Sequence, residues 1–221
     1  SAAPESVRVD DFGTLLQRLE EALGLPPVSC APASEIAGRF RAAVQGSGLR
    51  LGPWESHLDA LYAELHAHFF GAALPEAFRD MPACTEGAPS PEVYEAHRQG
   101  TLGKRAAEVA AQVGRKLWEQ GLAGELVPGP WRARRLYDRL RATPHLPEAV
   151  LPGVEAVYVD EVQDLTLLEA ALLIEVTARR GASLLAAGDE GQTVRPTDFD
   201  WGAFADLVSA CAEWRGPWPT V

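Results

Sequence analysis

Residues 156–164 read AVYVDEVQD, and residues 184–193 read LLAAGDEGQT. In each stretch, a short apolar run of strand-forming residues leads into a tight group of acids and a glutamine. A continuous apolar run is typical of a strand buried in a parallel sheet. Ligands of open α/β sheets bind just beyond the carboxyl ends of such strands. We therefore expect the two polar groups to form one shared site at one edge of a parallel sheet.

The residues around these two stretches predict a strand–helix–strand unit. Strands are expected over 154–159 and 182–187, with a helix over 165–179 between them and a further helix over 202–213. Because this spacing suits a right-handed crossover connection, the two strands should be parallel neighbours. The predicted fold class is therefore α/β with a parallel sheet.

The first two thirds of the chain read differently. A short strand over 6–9 precedes a helix for which Asp11 is a candidate N-cap. Residues 34–146 then show only helical patterns, interrupted by a Gly-, Pro- and Ala-rich stretch over 71–90 that predicts a long loop. The expected organisation is an N-terminal α/β part, a large all-helical insertion and a C-terminal α/β part, with boundaries at 1–30, 31–147 and 148–221.

Length and charge restrict the function classes. A chain of 221 residues can bury one large core or two smaller ones. Its net charge of −11 disfavours stand-alone DNA binding, since Lys and Arg supply most non-specific affinity for phosphate. Residues 98–141 are the exception, with ten Lys/Arg against four Asp/Glu. This basic block is either a solvated helix face or a surface for a polyanion. Its candidate nucleic-acid contacts are Arg132, Arg134 and Arg135.

The remaining composition predicts a cytoplasmic protein that does not enter a membrane. No apolar run approaches the ~20 residues that a membrane-spanning helix needs. The N-terminus lacks the features of a signal peptide, and its start at Ser1 suggests a processed or truncated chain. Cys30, Cys84 and Cys211 are odd in number and widely spaced, which argues against a disulfide framework or a zinc site and favours a reducing compartment.

The polar residues after the first predicted strand suit phosphate chemistry. Asp160 and Glu161 are adjacent, so their side chains diverge from the strand end. One carboxylate can hold Mg²⁺ while the other orients or deprotonates an attacking water. Gln163 and Asp164 begin the next helix, where Asp164 is also a candidate N-cap.

The second polar group makes the pattern more specific. An isolated Asp-Glu pair is more often a helix cap or a solvated loop. Here it combines with Asp189 and Gln192 after the next predicted strand. A glutamine carboxamide can bond a phosphate oxygen and a water together, which suits a sensor of a terminal phosphate. The combination therefore favours a nucleotide site.

Together, the segments 159–164 (VDEVQD) and 188–192 (GDEGQ) resemble motifs II and III of the UvrD/Rep-like superfamily 1 DNA helicases. Residues 6–16 look like the region of motif Ia, and residues 213–221 like the run into motif IV. The helical insertion over 31–147 then corresponds to subdomain 1B. The resemblance implies a partial RecA-like P-loop NTPase core, with a parallel sheet and a large all-helical inserted subdomain.

The resemblance also implies roles for individual residues. Asp160 would coordinate Mg²⁺, Glu161 would be the catalytic base, and Gln192 would sense the γ-phosphate of ATP. The other residues of the nucleotide site would be Gln163, Asp164 and Asp189. Phe199 or Trp201 would stack on a DNA base, although either ring could equally anchor its loop in the core. The implied activity is ATP-dependent movement on single-stranded DNA, together with the remaining helicase domains.

One departure from the family pattern is an absence. No G-x-x-x-x-G-K-[ST] occurs, and the nearest approach, over 98–105, has arginine in place of both the first glycine and the final hydroxyl residue. Without this phosphate cradle we expect the isolated chain to be inactive. Loss of the corresponding strand would also leave 182–187 as an apolar sheet edge, so we expect a covering segment or self-association.

Two alternatives remain open at this stage. In the first, the chain is a non-catalytic helicase-like domain for protein interaction or regulation. In the second, it belongs to a helicase-like ATPase that acts in defence or on RNA. His66 and His68 are a weak metal candidate, because positions i and i+2 of a helix diverge. The spacing of Trp118, Trp131 and Tyr137 favours helix packing over stacking on DNA.

Overall fold

The computed structural model describes residues 10–28, 30–72, 91–143, 145–192, 197 and 199–215. The predicted strand over 6–9 and most of the predicted loop over 71–90 lie outside these residues. The described fold is mixed α/β, mostly helical, with a two-stranded parallel sheet. Its helices are α1 (Phe12–Ala22), α2 (Ala33–Gly46), α3 (Leu58–Glu64), α4 (Pro91–Arg98), α5 (Lys104–Glu119), α6 (Ala123–Leu126), α7 (Pro128–Ala142), α8 (Leu167–Arg180) and α9 (Trp201–Arg215). Its strands are β1 (Ala156–Val159) and β2 (Ser183–Ala186).

The sheet confirms the predicted parallel crossover. Strands β1 and β2 pair in parallel, with Val157 opposite Leu184 and Tyr158 opposite Leu185. The face that carries Val157 and Leu184 is half-buried against the helices. The opposite face leaves Tyr158 65% and Leu185 53% exposed. Within the described residues no third strand joins either edge of the sheet. The covering segment or self-association expected at the 182–187 edge stays a prediction.

Helix α8 forms the centre of the α/β part, and its start corrects one prediction. The N-cap is Thr166 rather than Asp164: the Thr166 hydroxyl accepts from the Glu169 amide at 3.3 Å, and the Glu169 carboxylate accepts from the Thr166 amide at 2.8 Å. This reciprocal pair is a capping box. Asp164 instead closes a 3₁₀ turn over Val162–Asp164. The Thr-x-x-Glu spacing at 166–169 was a signal in the sequence that the prediction overlooked.

The helical block surrounds its own hydrophobic core, which α2 to α6 share. Residues 52–70, part of the stretch predicted to be helical, contain a 3₁₀ turn (Gly52–Trp54), α3 and a π-helix (Leu65–Phe70). The π-helix turns both Phe69 and Phe70 inward, where their rings meet edge to face at 5.0 Å. Phe69 packs directly over Gly114 of α5, where a Cβ would lie 2.5 Å from the ring. The wider turn of the π-helix therefore places Phe69 against α5, and glycine at position 114 leaves room for its ring.

Helix α7 belongs to both cores. Near its start, Trp131 packs against the core of the helical block. Further along, Leu136 and Leu140 are fully buried with Leu16 of α1 and Leu172 of α8 in a second core. The helix assigned to the insertion from its sequence thus also forms one side of the α/β part. No described helix is both long and apolar enough to cross a membrane.

The contact between Phe69 and Gly114 generates a prediction about stability. Gly114→Ala should destabilise the protein by about 1–3 kcal/mol, because a methyl group would overpack the Phe69 ring. Gly38→Ala on α2, where nothing lies within 4 Å of the new carbon, is the matched control. It should stabilise the protein by roughly 1 kcal/mol through helix propensity alone. Urea unfolding of both variants measures the difference, and equal stabilisation by both would contradict the packing.

Candidate functional site

The candidate site lies where β1 and β2 end, at the same edge of the sheet. Asp160 and Glu161 follow β1, and Ala187 to Asp189 follow β2. Backbone pairing continues past the strands: the Ala187 amide donates to the Val159 carbonyl at 2.8 Å, and the Val162 amide donates to the Ala187 carbonyl at 3.0 Å. The structure therefore holds the two polar segments side by side, as the sequence pattern led us to expect.

Gln163 connects the two segments. Its side chain is buried, with only 1% of the residue exposed. The side-chain carbonyl accepts from the Asp189 amide at 3.1 Å, while the side-chain NH₂ donates to the Glu161 carboxylate. A Cβ on Gly188 would overlap that carbonyl oxygen, so the position beside Gln163 requires glycine. One polar end of this buried carboxamide thus joins the two strand ends, and the other holds Glu161 of its own segment.

Asp189 and Gln192 form the second half of the site. Asp189 accepts from the Gln192 side-chain NH₂ at 2.9 Å through one carboxylate oxygen, and from the Gly191 amide at 2.9 Å through the other. These hydrogen bonds, that of Gln192 first, hold the pKa of Asp189 below its usual value. Glu161 and Gln192 are both exposed. They are the two ends of a hydrogen-bonded series that passes through Gln163 and Asp189.

The backbone of Glu161 is strained. Its φ of 53° and ψ of 43° place it in the left-handed region, which costs a residue with a Cβ about 1–2 kcal/mol. This conformation turns the chain from β1 into the 3₁₀ turn that carries Gln163. Such outliers cluster at functional sites, where the surrounding structure holds them in place. The strain therefore falls on the residue for which the sequence predicted a catalytic role.

The described acids at this edge could supply only part of the ligands of a metal ion, with water and substrate supplying the rest. Asp160 is exposed, and one of its carboxylate oxygens accepts from the Glu161 amide at 3.1 Å. Asp164 is half-buried in its 3₁₀ turn. Among the described residues, no three His, Cys, Asp or Glu side chains are grouped so that they could hold a metal ion. Mg²⁺, however, usually keeps several waters and takes one or two carboxylates together with substrate phosphates. Asp160 fits the role of one such carboxylate ligand.

The two predicted DNA-stacking residues pack beside the 3₁₀ turn of the site. Phe199 is buried beside Val162 and Leu165, and its ring meets Trp201 edge to face at 5.1 Å. The geometry favours the core interpretation for Phe199. Trp201 is half-buried and keeps part of its ring accessible. Residues 193–196, between the site and these rings, lie outside the described residues.

Thr197 belongs to the site but was not predicted. It is buried, and its hydroxyl donates to the Gln163 backbone carbonyl at 2.6 Å. This bond fixes Thr197 to the residue that joins the strand ends. Because a lone threonine in a polar segment carries no periodic signal, only the tertiary contact reveals it.

The three arginines predicted to contact nucleic acid are engaged within the protein. Arg132 pairs with Glu20 of α1 through two hydrogen bonds, of 3.1 and 2.7 Å, and both side chains are largely buried. Arg134 is buried and donates to the Ala72 carbonyl at 3.1 Å. Arg135 lies over the Trp131 ring at 4.6 Å. These positions favour structural roles for Arg132 and Arg134. Among the residues of the basic block whose exposure the structure describes, the exposed cations are Lys104, Arg105, Arg115 and Arg139.

No family model, curated protein or solved structure matches this chain. Its likeness to helicase motifs therefore depends on the residues of the two segments and on the geometry just described.

The bridging role of Gln163 predicts a pH-dependent variant. In Gln163→Glu, a buried carboxylate would face the Glu161 carboxylate and the pKa of the new acid would be raised. The protonated form can still donate to Glu161 and accept from the Asp189 amide. The variant should therefore match the wild type below a pH of about 4 and lose relative stability as the pH rises through the raised pKa. Thermal unfolding across pH measures this, and a deficit that is constant with pH would contradict it.

The left-handed backbone of Glu161 predicts an unusual order of variants. Glu161→Gly and Glu161→Ala both remove the carboxylate, but only glycine relieves the strain. The glycine variant should be the more stable by roughly 1 kcal/mol. Asp160, whose φ is not positive, is the matched control, and there alanine should be at least as stable as glycine. Chemical denaturation of the four variants is the measurement; the same order at both positions would count against the strained conformation.

Proposed function

We propose that this chain carries the ATP-hydrolysing motifs of a UvrD-like, ATP-dependent DNA translocase. The observation that supports the proposal best is the hydrogen-bonded series from Glu161 through Gln163 and Asp189 to Gln192. It brings the acid of one motif and the glutamine of the other to one edge of a parallel sheet, where nucleotide sites of α/β proteins lie.

In this proposal the side chains position and polarise a water. Gln163 orients the Glu161 carboxylate, which takes the proton of the attacking water. Asp189 engages the NH₂ of Gln192, so that the Gln192 carbonyl oxygen remains as an acceptor toward the same water. Asp160 would hold Mg²⁺, which supplies charge neutralisation on the phosphates when bound. Positioning of this kind accounts for most of the catalysis of phosphoryl transfer.

The same bonds offer a route from the nucleotide to the DNA. Gln163 touches the Asp189 segment with its side chain and Thr197 with its backbone carbonyl. A shift of Gln192 toward a terminal phosphate would therefore reach the segment that ends at Trp201. Single-stranded DNA, bound by an accessible ring and by the exposed cations of the basic block, is the proposed partner.

The sequence lacks a G-x-x-x-x-G-K-[ST] loop, so this chain offers no phosphate cradle of that type. We infer that tight ATP binding requires a phosphate-binding segment from outside these 221 residues. The chain alone should therefore show neither tight ATP binding nor hydrolysis. A dissociation constant in the low micromolar range for the chain alone would contradict this inference.

The decisive experiment uses the protein that the complete gene encodes. Its ATPase activity should be stimulated by single-stranded DNA, and Glu161→Gln should lower kcat by roughly 10²-fold or more while ATP binding persists. Glu155→Gln is the matched control, because this exposed acid precedes β1 at the opposite end of the strand. An unchanged kcat in Glu161→Gln would exclude the proposed base.

A second candidate function is a non-catalytic module for protein interaction. It is favoured by the engagement of Arg132 and Arg134 inside the protein, which removes them from a DNA surface. In that case the strand-end hydrogen bonds serve stability alone. The complete protein would then show no ATPase activity, and variants of Glu161 or Gln192 would not differ from the wild type in this respect.

A further inference from the structure

A cleft of about 750 Å³ opens on the face where the segment after α1 meets α2, α6 and α7. It shares no residue with the strand-end site. Its apolar walls include three prolines and a tryptophan, and two arginines reach into it. The lining residues that matter here are Pro26, Pro27, Pro32, Trp131, Arg39 and Arg135. Its volume lies within the range of ordinary ligand sites.

The two arginines of the cleft differ in how they are satisfied. Arg39 donates to the carboxylates of Glu35 and Glu125. Arg135 has only the Glu20 carboxylate near it, at 4.0 Å, and Arg132 already holds that carboxylate at 2.7 Å. No hydrogen bond joins the Arg135 guanidinium to another described residue, although its side chain is only 19% exposed. A partly buried guanidinium whose only described carboxylate neighbour is 4.0 Å away is a site for a bidentate anion.

The geometry distinguishes between kinds of anion. One face of the Trp131 ring is covered by Arg135, and a Cβ on Gly124 would lie 3.1 Å from the ring atoms, so the backbone also crowds it there. A nucleic-acid base therefore finds at least one face of this ring already covered. One unmatched cation is also too few for a phosphate backbone, whose affinity grows with each charge neutralised. A single carboxylate on an otherwise apolar ligand fits both the charge and the walls.

We propose that this cleft binds a short apolar peptide segment whose carboxylate is taken by Arg135. Grooves with an aromatic wall are a recurrent form of peptide site. The carboxylate is either the C-terminus of the peptide or an Asp or Glu side chain within it, since both present the same planar pair of oxygens. This site does not depend on ATP chemistry, so it can fail or hold independently of the translocase proposal.

Cys30 provides a reporter inside the cleft. The thiol is exposed and lines the cavity. Partial burial raises its pKa, so alkylation by iodoacetamide is slow near neutral pH and quickens as the pH is raised. A ligand in the cleft should slow this reaction further. Mass spectrometry of the peptide containing Cys30 separates the signal from Cys84 and Cys211.

The binding experiment uses three fluorescein-labelled tripeptides on the full chain. Leu-Pro-Phe with a free C-terminus tests a terminal carboxylate, Leu-Pro-Glu-amide tests a side-chain carboxylate, and Leu-Pro-Phe-amide has neither. At least one carboxylate peptide should bind about tenfold more tightly than the last and protect Cys30. Arg135→Gln should lose about tenfold in affinity for it. Arg135→Lys should lie between, because lysine cannot form the bidentate pair.

Arg41→Gln is the matched control, since Arg41 lies on α2 outside the cleft and pairs with Asp59. It should leave affinity unchanged. Equal binding of all three peptides, undiminished binding by Arg135→Gln, or no binding up to about 1 mM would overturn the proposal. So would protection of Cys30 by an oligothymidylate, which would identify a nucleic-acid surface. Should Arg135→Gln fail to fold, the comparison of acid and amide peptides on the wild type still decides.

Discussion

The α/β part depends on the buried carboxamide of Gln163. Its two polar ends bond to Glu161 after β1 and to the Asp189 amide after β2. A buried polar group that loses its partner costs about 1–3 kcal/mol, so the two strand ends cannot move apart without leaving the Gln163 side-chain carbonyl unmatched. Gly188 is required for the same reason, because any side chain there would displace the carbonyl oxygen. The two polar segments therefore behave as one unit.

A second constraint ties the helical block to this unit. Helix α7 contributes to both cores, and its Arg132 forms a largely buried ion pair with Glu20 of α1. Removing one partner of such a pair is costly, because the other charge stays buried and uncompensated. The Arg132 guanidinium thus joins α7 to α1. Arg135, beside this pair, lies 4.0 Å from the same Glu20 carboxylate and over the Trp131 ring, with part of its side chain exposed.

The sequence could predict what depends on neighbouring residues. Apolar runs located β1 and β2, helical spacing located α1, α5, α7 and α8, and the shared edge of the sheet followed from the parallel crossover. It could not predict contacts between residues that are far apart in the sequence. Arg132 and Glu20 are 112 residues apart, so a count of charges in 98–141 could not show that the pair is buried. The π-helix and the left-handed Glu161 likewise arise from tertiary packing that overrides local preference.

The position of the strain suggests how such a site could respond to a ligand. Glu161 is held in an unfavourable conformation by β1 on one side and by the Gln163 bond on the other. Gln163 is itself held by Asp189, whose carboxylate is occupied by Gln192. A phosphate that drew Gln192 away would remove the bond that most lowers the pKa of Asp189. The Asp189 amide and carboxylate belong to one residue. A change at the carboxylate would therefore alter the hydrogen bond to Gln163 and, through Gln163, the bond to the strained Glu161. A ligand can shift such an arrangement only by binding two states of it unequally, and relief of the left-handed backbone of Glu161 would contribute about 1–2 kcal/mol to that difference.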